Sequence, residues 1–544
     1  MSVSRVLIVN LTRFGDLLQT SPTVAALHQR YPGATVTVVA EKNFADVCEG
    51  IPGIDRIYRL DLDRLGALLL DGGTALLESY RYVEEVLGDL RSERFELALN
   101  FSSSRMSAVF MGLLGVPDTR GWTMTENGMR VIRHPWARLF ATMCLHRRFA
   151  TFNLVDYYRA IAGADEPSGA LVYAVAPEAQ TAADAMIEEE LGTSTRPLVA
   201  LQLGASRTSR QWPSEAFVDL GRRLTQSGCD ILLVGGGGER LVARRVAAGI
   251  GRRVMNTCGR TGIGELGGLL KRAAVLVSGD TGPMHMAAAV GTPVVALFFG
   301  PASPFDTGPY GADHVLLHTG APCAPCNHNV TCLNPFCRDD ITAEVVEKAV
   351  RCRLVADWDG VERLAREAPR VRVYRTGFDA HGWYACEPMG DLAVRPEDDL
   401  RRAYRATLMA ELLRVPVPSP RVGNVSTAGF MGLRALAEQG AATAAALGAE
   451  ARSRNLRIDD IERLGRELET LDQTVVEHGL THPETGVLTQ LFQFGKENLR
   501  GDDVPTLAGE MESLYRTLVS EAQLMAGLLG TSIEKEQHDA YLHQ

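Results

Sequence analysis

Over the first two-thirds of the chain, short apolar runs alternate with segments of helical period. Arg5-Val-Leu-Ile-Val-Asn-Leu11 reads as a buried strand and Thr12-Arg-Phe-Gly-Asp16 as a glycine-containing turn. Leu17 to Tyr31 reads as an amphipathic helix closed by Pro32-Gly33, and Ala34-Thr-Val-Thr-Val-Val-Ala40 as a β-branched second strand. Phe95 to Asn100 is a further strand, followed by the polar turn Phe101-Ser-Ser-Ser-Arg105 and an apolar helix. The stretch from Trp122 to Ala162 reads as mainly helical, with basic positions at Arg130, Arg133, His134, Arg138, His146, Arg147 and Arg148. Such a run is more often a solvated face than a surface for an anionic acceptor.

A second series starts near Arg196. Pro197 to Leu203 is a strand, Gly204 to Pro213 a loop, and Ser214 to Gln226 a helix. Asp230 to Val234 is the next strand, and Gly235-Gly-Gly-Gly238 after it permits close approach of a ligand to the backbone. Helix Ile263–Arg272 leads to strand Ala273–Val277, the polar turn Asp280-Thr-Gly282, an apolar helix from Met284 to Val290, and strand Val294–Phe299. Pro283 suits the first turn of that helix, where no backbone donor is lost. Two α/β series with polar loops at strand ends predict two Rossmann-like domains facing across a cleft. The helix behind Pro283 would aim its N-terminal amides at the sheet's carboxyl edge, where anions bind. After Pro396 the pattern is almost wholly helical, with helices expected over 397–413, 427–453, 458–477, 484–498 and 506–529. The expected division is 1–175, 176–355 and 356–544.

Composition narrows the function classes. The chain has 544 residues, 46% hydrophobic and 22% charged, with a net charge of −10. That balance argues against a protein that coats nucleic acid. No apolar run has membrane-spanning length, and Val6 to Val9 is too short for a signal-peptide core. A cytoplasmic protein is expected, with peripheral contact to a membrane face left open. The first turn lacks G-x-G-x-x-G, so a dinucleotide fingerprint is not supported. Asp16, where strand hands over to helix, is either an N-cap or a functional carboxylate. Asp280 and His285 are either caps of the Pro283 helix or ligand contacts.

Four blocks taken together resemble glycosyltransferase family 9, the lipopolysaccharide heptosyltransferases. They are Arg13-Phe-Gly-Asp16; Gly204-Ala-Ser206 with Arg210-Gln-Trp-Pro213; Gly235 to Glu239; and Ser278-Gly-Asp-Thr-Gly-Pro-Met-His285 with Gly291-Thr-Pro293. The resemblance covers roughly residues 1–355 and implies a GT-B fold with an N-terminal acceptor domain and a C-terminal nucleotide-sugar domain. It implies inverting transfer of heptose or a related sugar from an ADP-sugar, ADP-heptose above all, to a saccharide or lipid-linked acceptor, with no metal or other cofactor in the transfer. Asp16 is then the base. Ser206, Arg210, Glu239, Asp280, Thr281, Gly282 and His285 are the donor contacts, with Glu239 toward the ribose and Thr281 and Gly282 toward the diphosphate. Arg210 stands where the family commonly has a lysine, exchanging a point ammonium for a planar fork. Transfer onto a protein, with the helical tail as recognition surface, and a non-catalytic nucleotide-sugar scaffold are the alternatives.

Cys323, Cys326, Cys332 and Cys337 are spaced C-x2-C-x5-C-x4-C. Four thiolates this close can enclose a tetrahedral zinc or iron, with His328 a substitute ligand. Free thiols or a redox-dependent disulfide are the other reading. The resemblance favours the metal clip, since many family members carry a similar cysteine-rich stretch here. The C-terminal helices are expected either to form a homo-oligomer, to recognise an acceptor, or to pack on the catalytic domains.

Overall fold

The computed structural model describes residues 3–71, 74–164, 169–205, 207, 210–326, 332–416 and 425–530. The chain forms two compact units, Met1–Arg120 with Phe152–Leu392, and Gly121–Thr151 with Ala393–Gln544.

The first unit holds two α/β lobes. The first lobe's sheet begins with β1 (Arg5–Asn10), β2 (Thr35–Glu41), β3 (Arg56–Leu60) and β4 (Leu97–Asn100), all paired parallel in the order β3-β2-β1-β4. β5 (Asp118–Met124) runs out of this unit at Arg120 and turns back as β6 (Arg130–Arg133), its antiparallel partner. The central strands are apolar on both faces because helices cover both. Val6, Leu7, Ile8 and Val9 are fully buried.

The second lobe has β7 (Leu198–Gln202), β8 (Asp230–Val234), β9 (Val254–Asn256), β10 (Val275–Gly279), β11 (Val294–Phe298) and β12 (Val315–Thr319). Its order is β12-β11-β10-β7-β8-β9, all parallel. β13 (Val371–Phe378) and β14 (Tyr384–Pro388) extend the β12 edge antiparallel. The local pattern marks β13 only as a short strand, and its place in this sheet comes from long-range pairing such as Thr319 with Val371.

Chain order reverses between β1 and β4 in one sheet and between β7 and β10 in the other. Ligands of open parallel sheets bind at the carboxyl ends of strands flanking such switch points. The linker between the lobes is pinned to both. Val172 N–H donates to Ser21 Oγ (3.1 Å), Ala174 N–H to the Gly50 carbonyl (2.7 Å), and Tyr173 N–H to the Ala289 carbonyl (3.1 Å).

Two sequence expectations are corrected. The helix expected from Leu17 to Tyr31 is two helices, Phe14–Leu18 and Ser21–Arg30. Thr20 turns its hydroxyl back to the Leu17 carbonyl (2.6 Å), and Pro22 starts the second helix where its missing N–H costs nothing. The segment 122–162 is not mainly helical throughout. It opens with the β5–β6 hairpin, whose turn has Gly128 at φ 77°.

The second unit is mainly helical: Pro135–Leu145, Pro396–Leu413, Ala428–Ala451, Ile458–Thr481, Gly486–Lys496 and Val504–Leu529. The small residues around Ala441 allow Ala428–Ala451 to lie close along Val504–Leu529. A Cβ at Gly440 would strike the buried Tyr515 ring. Tyr515 in turn donates to Asp472 (2.7 Å). Among the described residues no helix is long and apolar enough to cross a membrane.

Candidate active site at the two switch points

In the first lobe, β1 ends at Asn10, which is fully buried. Its Oδ1 accepts from the Thr12 backbone N–H (3.3 Å), and its Nδ2 donates to the Asp16 carbonyl (3.3 Å). Leu11 N–H donates to Ser102 Oγ beyond β4 (2.7 Å), so the loop is tied across the switch point. Arg13, not Asp16, is the N-cap of the Phe14–Leu18 helix. Asp16 lies in the first turn, close to Arg13 and to Thr12, whose hydroxyl donates to Asn10 Oδ1 (2.5 Å). Burial, and then the negative charge of Asp280, raise the Asp16 pKa above the usual carboxylate range. The polar groups of Thr12 and Arg13 and the Arg13 charge act the other way and are outweighed.

In the second lobe, Arg210 and Asp280 meet although they are far apart in sequence. One guanidinium nitrogen donates to the Asp280 carboxylate (2.6 Å) and also to the Asp280 carbonyl (2.5 Å). Their side chains are only 16% and 11% exposed. Asp280 is therefore held as an ion pair rather than as a helix cap. The N-cap of the Gly282–Ala289 helix is Thr281, whose hydroxyl lies 3.1 Å from Ser278 Oγ rather than on a helical N–H. His285 is 4% exposed, and burial lowers its pKa to about 4. Asp280 raises it and Arg210 lowers it by smaller amounts. The ring is neutral at physiological pH, and its Nδ1 and Arg210 Nε have no partner among the described residues.

The two lobes touch at this place. A Cβ on Gly15 would lie 3.1 Å from Gly282 Cα and 3.2 Å from the His285 ring, and a Cβ on Gly282 would overlap the Phe14 ring. Glycine at both positions lets the first turn of one lobe's helix abut the first turn of the other's. Asp16 and Asp280 thereby come near enough for one charge to shift the other's proton.

Glu239 stands after β8 in a short turn, Gly237–Glu239. Its carboxylate folds back over Gly204 at the end of β7, where a side chain would collide with it. It therefore lines the same carboxyl edge, one strand away from the Arg210–Asp280 pair. The loop between is anchored by Trp212, whose Nε1 donates to the Ile341 carbonyl (2.8 Å), and by Gln211, which donates to the Ala205 carbonyl (2.9 Å). Ser206 lies outside the described residues.

Sequence reasoning missed Asn10, Phe14 and Gly15. Asn10 closing an otherwise apolar strand was the available signal. The roles of Phe14 and Gly15 depend on a contact with Gly282 that no local pattern encodes.

The cysteine stretch borders this edge: Cys326 N–H donates to the Gly300 carbonyl after β11 (3.1 Å), and Arg338, next to Cys337, donates to the Gln211 carbonyl (3.3 Å). Cys323 and Cys332 are exposed, Cys326 is partly covered and Cys337 is buried. Each of Cys323, Cys326 and Cys332 raises the Cys337 thiol by its charge, after burial as the largest cause. Among the described residues no three histidine, cysteine or acidic side chains are arranged to hold a metal, and His328 lies outside them.

Residues 84–336 match the family model described as glycosyltransferase family 9 (heptosyltransferase). Lipopolysaccharide heptosyltransferase 1 of Pseudomonas aeruginosa is 26% identical over 328 residues, which are 59% of this chain and 86% of that protein. Lipooligosaccharide heptosyltransferase 2 of Haemophilus ducreyi is 23% identical over 334 residues, 58% of this chain and 88% of that protein. Among solved structures, a glycosyl transferase family 9 protein from Veillonella parvula has the same fold, with a TM-score of 0.53 at 20% identity over 66% of this chain and 99% of that one. The matched span contains Arg210, Glu239, Asp280, Thr281, Gly282 and His285, and Asp16 precedes it. Residues 84–336 are therefore similar to glycosyltransferase family 9 (heptosyltransferase), in a two-lobed GT-B fold that is continued by a mainly helical C-terminal region.

Proposed function

We propose that the first unit transfers heptose, or a related sugar, with inversion from an ADP-sugar to a saccharide acceptor of the lipopolysaccharide-core type. The observation that carries this reading is Asp16, a carboxylate with a raised pKa at the contact between the lobes, facing Asp280 and the start of the Gly282–Ala289 helix. Inverting transfer needs a base that takes the acceptor hydroxyl's proton as that oxygen attacks the anomeric carbon, and a carboxylate made more basic by its surroundings suits the task. As the bond to the leaving diphosphate breaks, negative charge develops on it. The Gly282 amide, the positive end of that helix and Arg210 would stabilise this charge with no metal in the step. Arg210 keeps one edge on Asp280 and presents its Nε, so the pair aims the guanidinium as well as neutralising Asp280. Thr281 and His285 would contact the diphosphate or sugar, Ser206 a phosphate oxygen, and Glu239 the ribose hydroxyls.

The test is transfer from ADP-heptose to a heptose-deficient lipopolysaccharide extract by wild type and Asp16→Asn. Turnover should fall about 10²–10⁴-fold in the variant, while ADP binding stays near wild type. Wild-type turnover in Asp16→Asn would refute the base assignment, and wild type that binds ADP-sugar yet transfers it to no glycan or protein would refute the enzyme reading.

We also propose that the four cysteines form a structural zinc or iron clip, supported by their C-x2-C-x5-C-x4-C spacing, with the metal drawing the four thiolates together. Its test is metal analysis of anaerobically purified protein with and without Cys323→Ser and Cys326→Ser, and absence of metal from the wild type would refute it.

A further inference from the structure

The second unit contains a cluster of positive charge that the transfer chemistry does not use. Arg133 is the last residue of β6, Arg138 lies one turn into the Pro135–Leu145 helix, and Arg500 follows the Gly486–Lys496 helix. The β5–β6 hairpin and the Gly486–Lys496 helix are brought together by Trp122 and Phe494, whose rings meet edge to face at 6.0 Å. The Pro135–Leu145 and Gly486–Lys496 helices also pack on each other. His134, joining strand to helix, has φ 83°, an uncommon conformation for a residue with a side chain. Arg133 and Arg138, on either side of this turn, are near enough for the charge of the first to act on the second.

None of the three guanidinium groups forms an ion pair or side-chain hydrogen bond among the described residues. The acidic groups nearby are committed elsewhere. Glu510 accepts the backbone N–H groups of Arg500 (2.8 Å) and Gly501 (3.2 Å). Glu497 is influenced by Arg130, which itself lies over the Trp122 ring at 4.1 Å. Arg133 and Arg138 are partly buried, so their charges are incompletely solvated. Burial lowers the pKa of Arg138, and the positive charges of Arg133 and Arg500 lower it further. Arg133 is lowered by burial and by Arg500. Three like charges gathered without a counter-ion cost stability, which is recovered only if an anion joins them.

We propose that Arg133, Arg138 and Arg500 form a binding site for a phosphate monoester or diphosphate. A carboxylate has two oxygens and one charge, enough for one guanidinium fork. A terminal phosphate has three oxygens and close to two charges, and it can accept from all three arginines at once. A phosphodiester offers two free oxygens and a single charge, and fits less well. The same terminal phosphate chemistry is present in a lipid headgroup, in a phosphorylated saccharide and in free pyrophosphate. The inference is independent of the donor reading, because none of these residues belongs to the site in the first unit.

The experiment uses the full chain and inorganic pyrophosphate at low ionic strength. Hydrogen exchange should show saturable protection of residues 130–140 and 496–501. Arg138→Gln and, separately, the exposed loop variant Arg500→Gln should each weaken binding about tenfold or more, the loss of one charge-assisted hydrogen bond. Without pyrophosphate, both variants should melt no lower than wild type, because like-charge repulsion has been relieved. Binding of ADP-heptose, which has no terminal phosphate, should be equal in all three proteins; if wild type fails to bind it, the donor reading falls and this test still stands. Phosphatidylcholine vesicles with and without phosphatidic acid form the second arm. Retention on the phosphatidic acid vesicles alone assigns the site to a headgroup, and binding of pyrophosphate in solution assigns it to a soluble phosphate. Absence of both, equal binding by all variants, or tighter binding of a single-stranded oligonucleotide than of pyrophosphate would overturn the proposal.

Discussion

His285 allows the electrostatics of the candidate site to be tested by stability alone. Its ring is 4% exposed, and burial lowers its pKa from 6.5 to about 4. In the unfolded chain the imidazole takes up a proton as the pH falls through 6.5, whereas in the folded chain it stays neutral until about 4. Folded stability is therefore complete above 6.5 and is lost as the pH falls toward 4. The full loss is about 3.4 kcal/mol, and about 2 kcal/mol of it is reached by about pH 5. His285→Asn has no proton to gain. It should carry a constant penalty for lost packing, and the difference between wild type and variant should then change with pH. Hydrogen exchange of the β10 and β11 amides, corrected for intrinsic rates, reads this difference. Wild type should lose about 2 kcal/mol more than the variant between about pH 7.5 and pH 5. Parallel pH profiles would show that the ring is either solvated or already charged, and would remove the argument that it meets a ligand as a neutral imidazole.

Further outcomes follow from the same geometry. Because the Asp280 charge raises the Asp16 pKa, Asp280→Asn should move the acid limb of the pH–rate profile to lower pH, and an unmoved limb would mean that the two carboxylates do not interact. Gly282→Ala sets a methyl group against the Phe14 ring; overpacking of this kind costs about 1–3 kcal/mol, and Phe14→Leu should recover part of it in a thermal melt. Glu521, 7% exposed in the helical unit, has its pKa raised to about 8 by burial and by Glu411. Stability should therefore fall as the pH rises from 4.5 to 8, by about 3.4 kcal/mol at neutral pH, and Glu521→Gln should flatten that part of the profile measured by exchange of Val504–Leu529 amides.

The strands of both lobes were legible because parallel strands covered on both faces are written as continuous apolar runs, Val6 to Val9 and Val294 to Phe298 among them. The helices of the second unit were legible for the same kind of reason, since Ile461, Leu464, Leu468 and Leu471 recur at helical spacing, with Leu464 and Leu468 buried and the other two partly so. Trp122 to Arg133 was misread because basic and apolar residues alternate there over too short a span, and Asn127-Gly128 was the overlooked turn signal. At the site, Asp16, Arg210, Asp280 and His285 were each readable singly from their places after strands. Their mutual arrangement was not, because Arg210 and Asp280 are 70 residues apart and meet only when β7 and β10 pair across the switch point.

Comparing two ion pairs of the first unit separates structural from ligand-facing chemistry. Asp156 and Arg159 are 0% and 1% exposed. The Asp156 carboxylate receives Tyr310 Oη–H (2.9 Å) and the backbone N–H groups of Tyr384 (3.2 Å) and Asn153 (3.3 Å), and Arg159 lies 3.6 Å away. Asn153 donates in turn to the Gly308 carbonyl (3.1 Å). This network joins the Leu154–Ile161 helix to the loop before β12 and to β14, and its carboxylate is satisfied by the chain alone, as a structural charge deep in a protein must be. Arg210 and Asp280 contain the same chemical groups, yet they are partly exposed, with Arg210 Nε and the neighbouring His285 Nδ1 buried and unmatched. Buried polar atoms without partners cost folding free energy. On the proposed function, the hydrogen bonds left open by Arg210 Nε and His285 Nδ1, beside the contact of Gly15 with Gly282, are ones that the diphosphate of an ADP-sugar would complete.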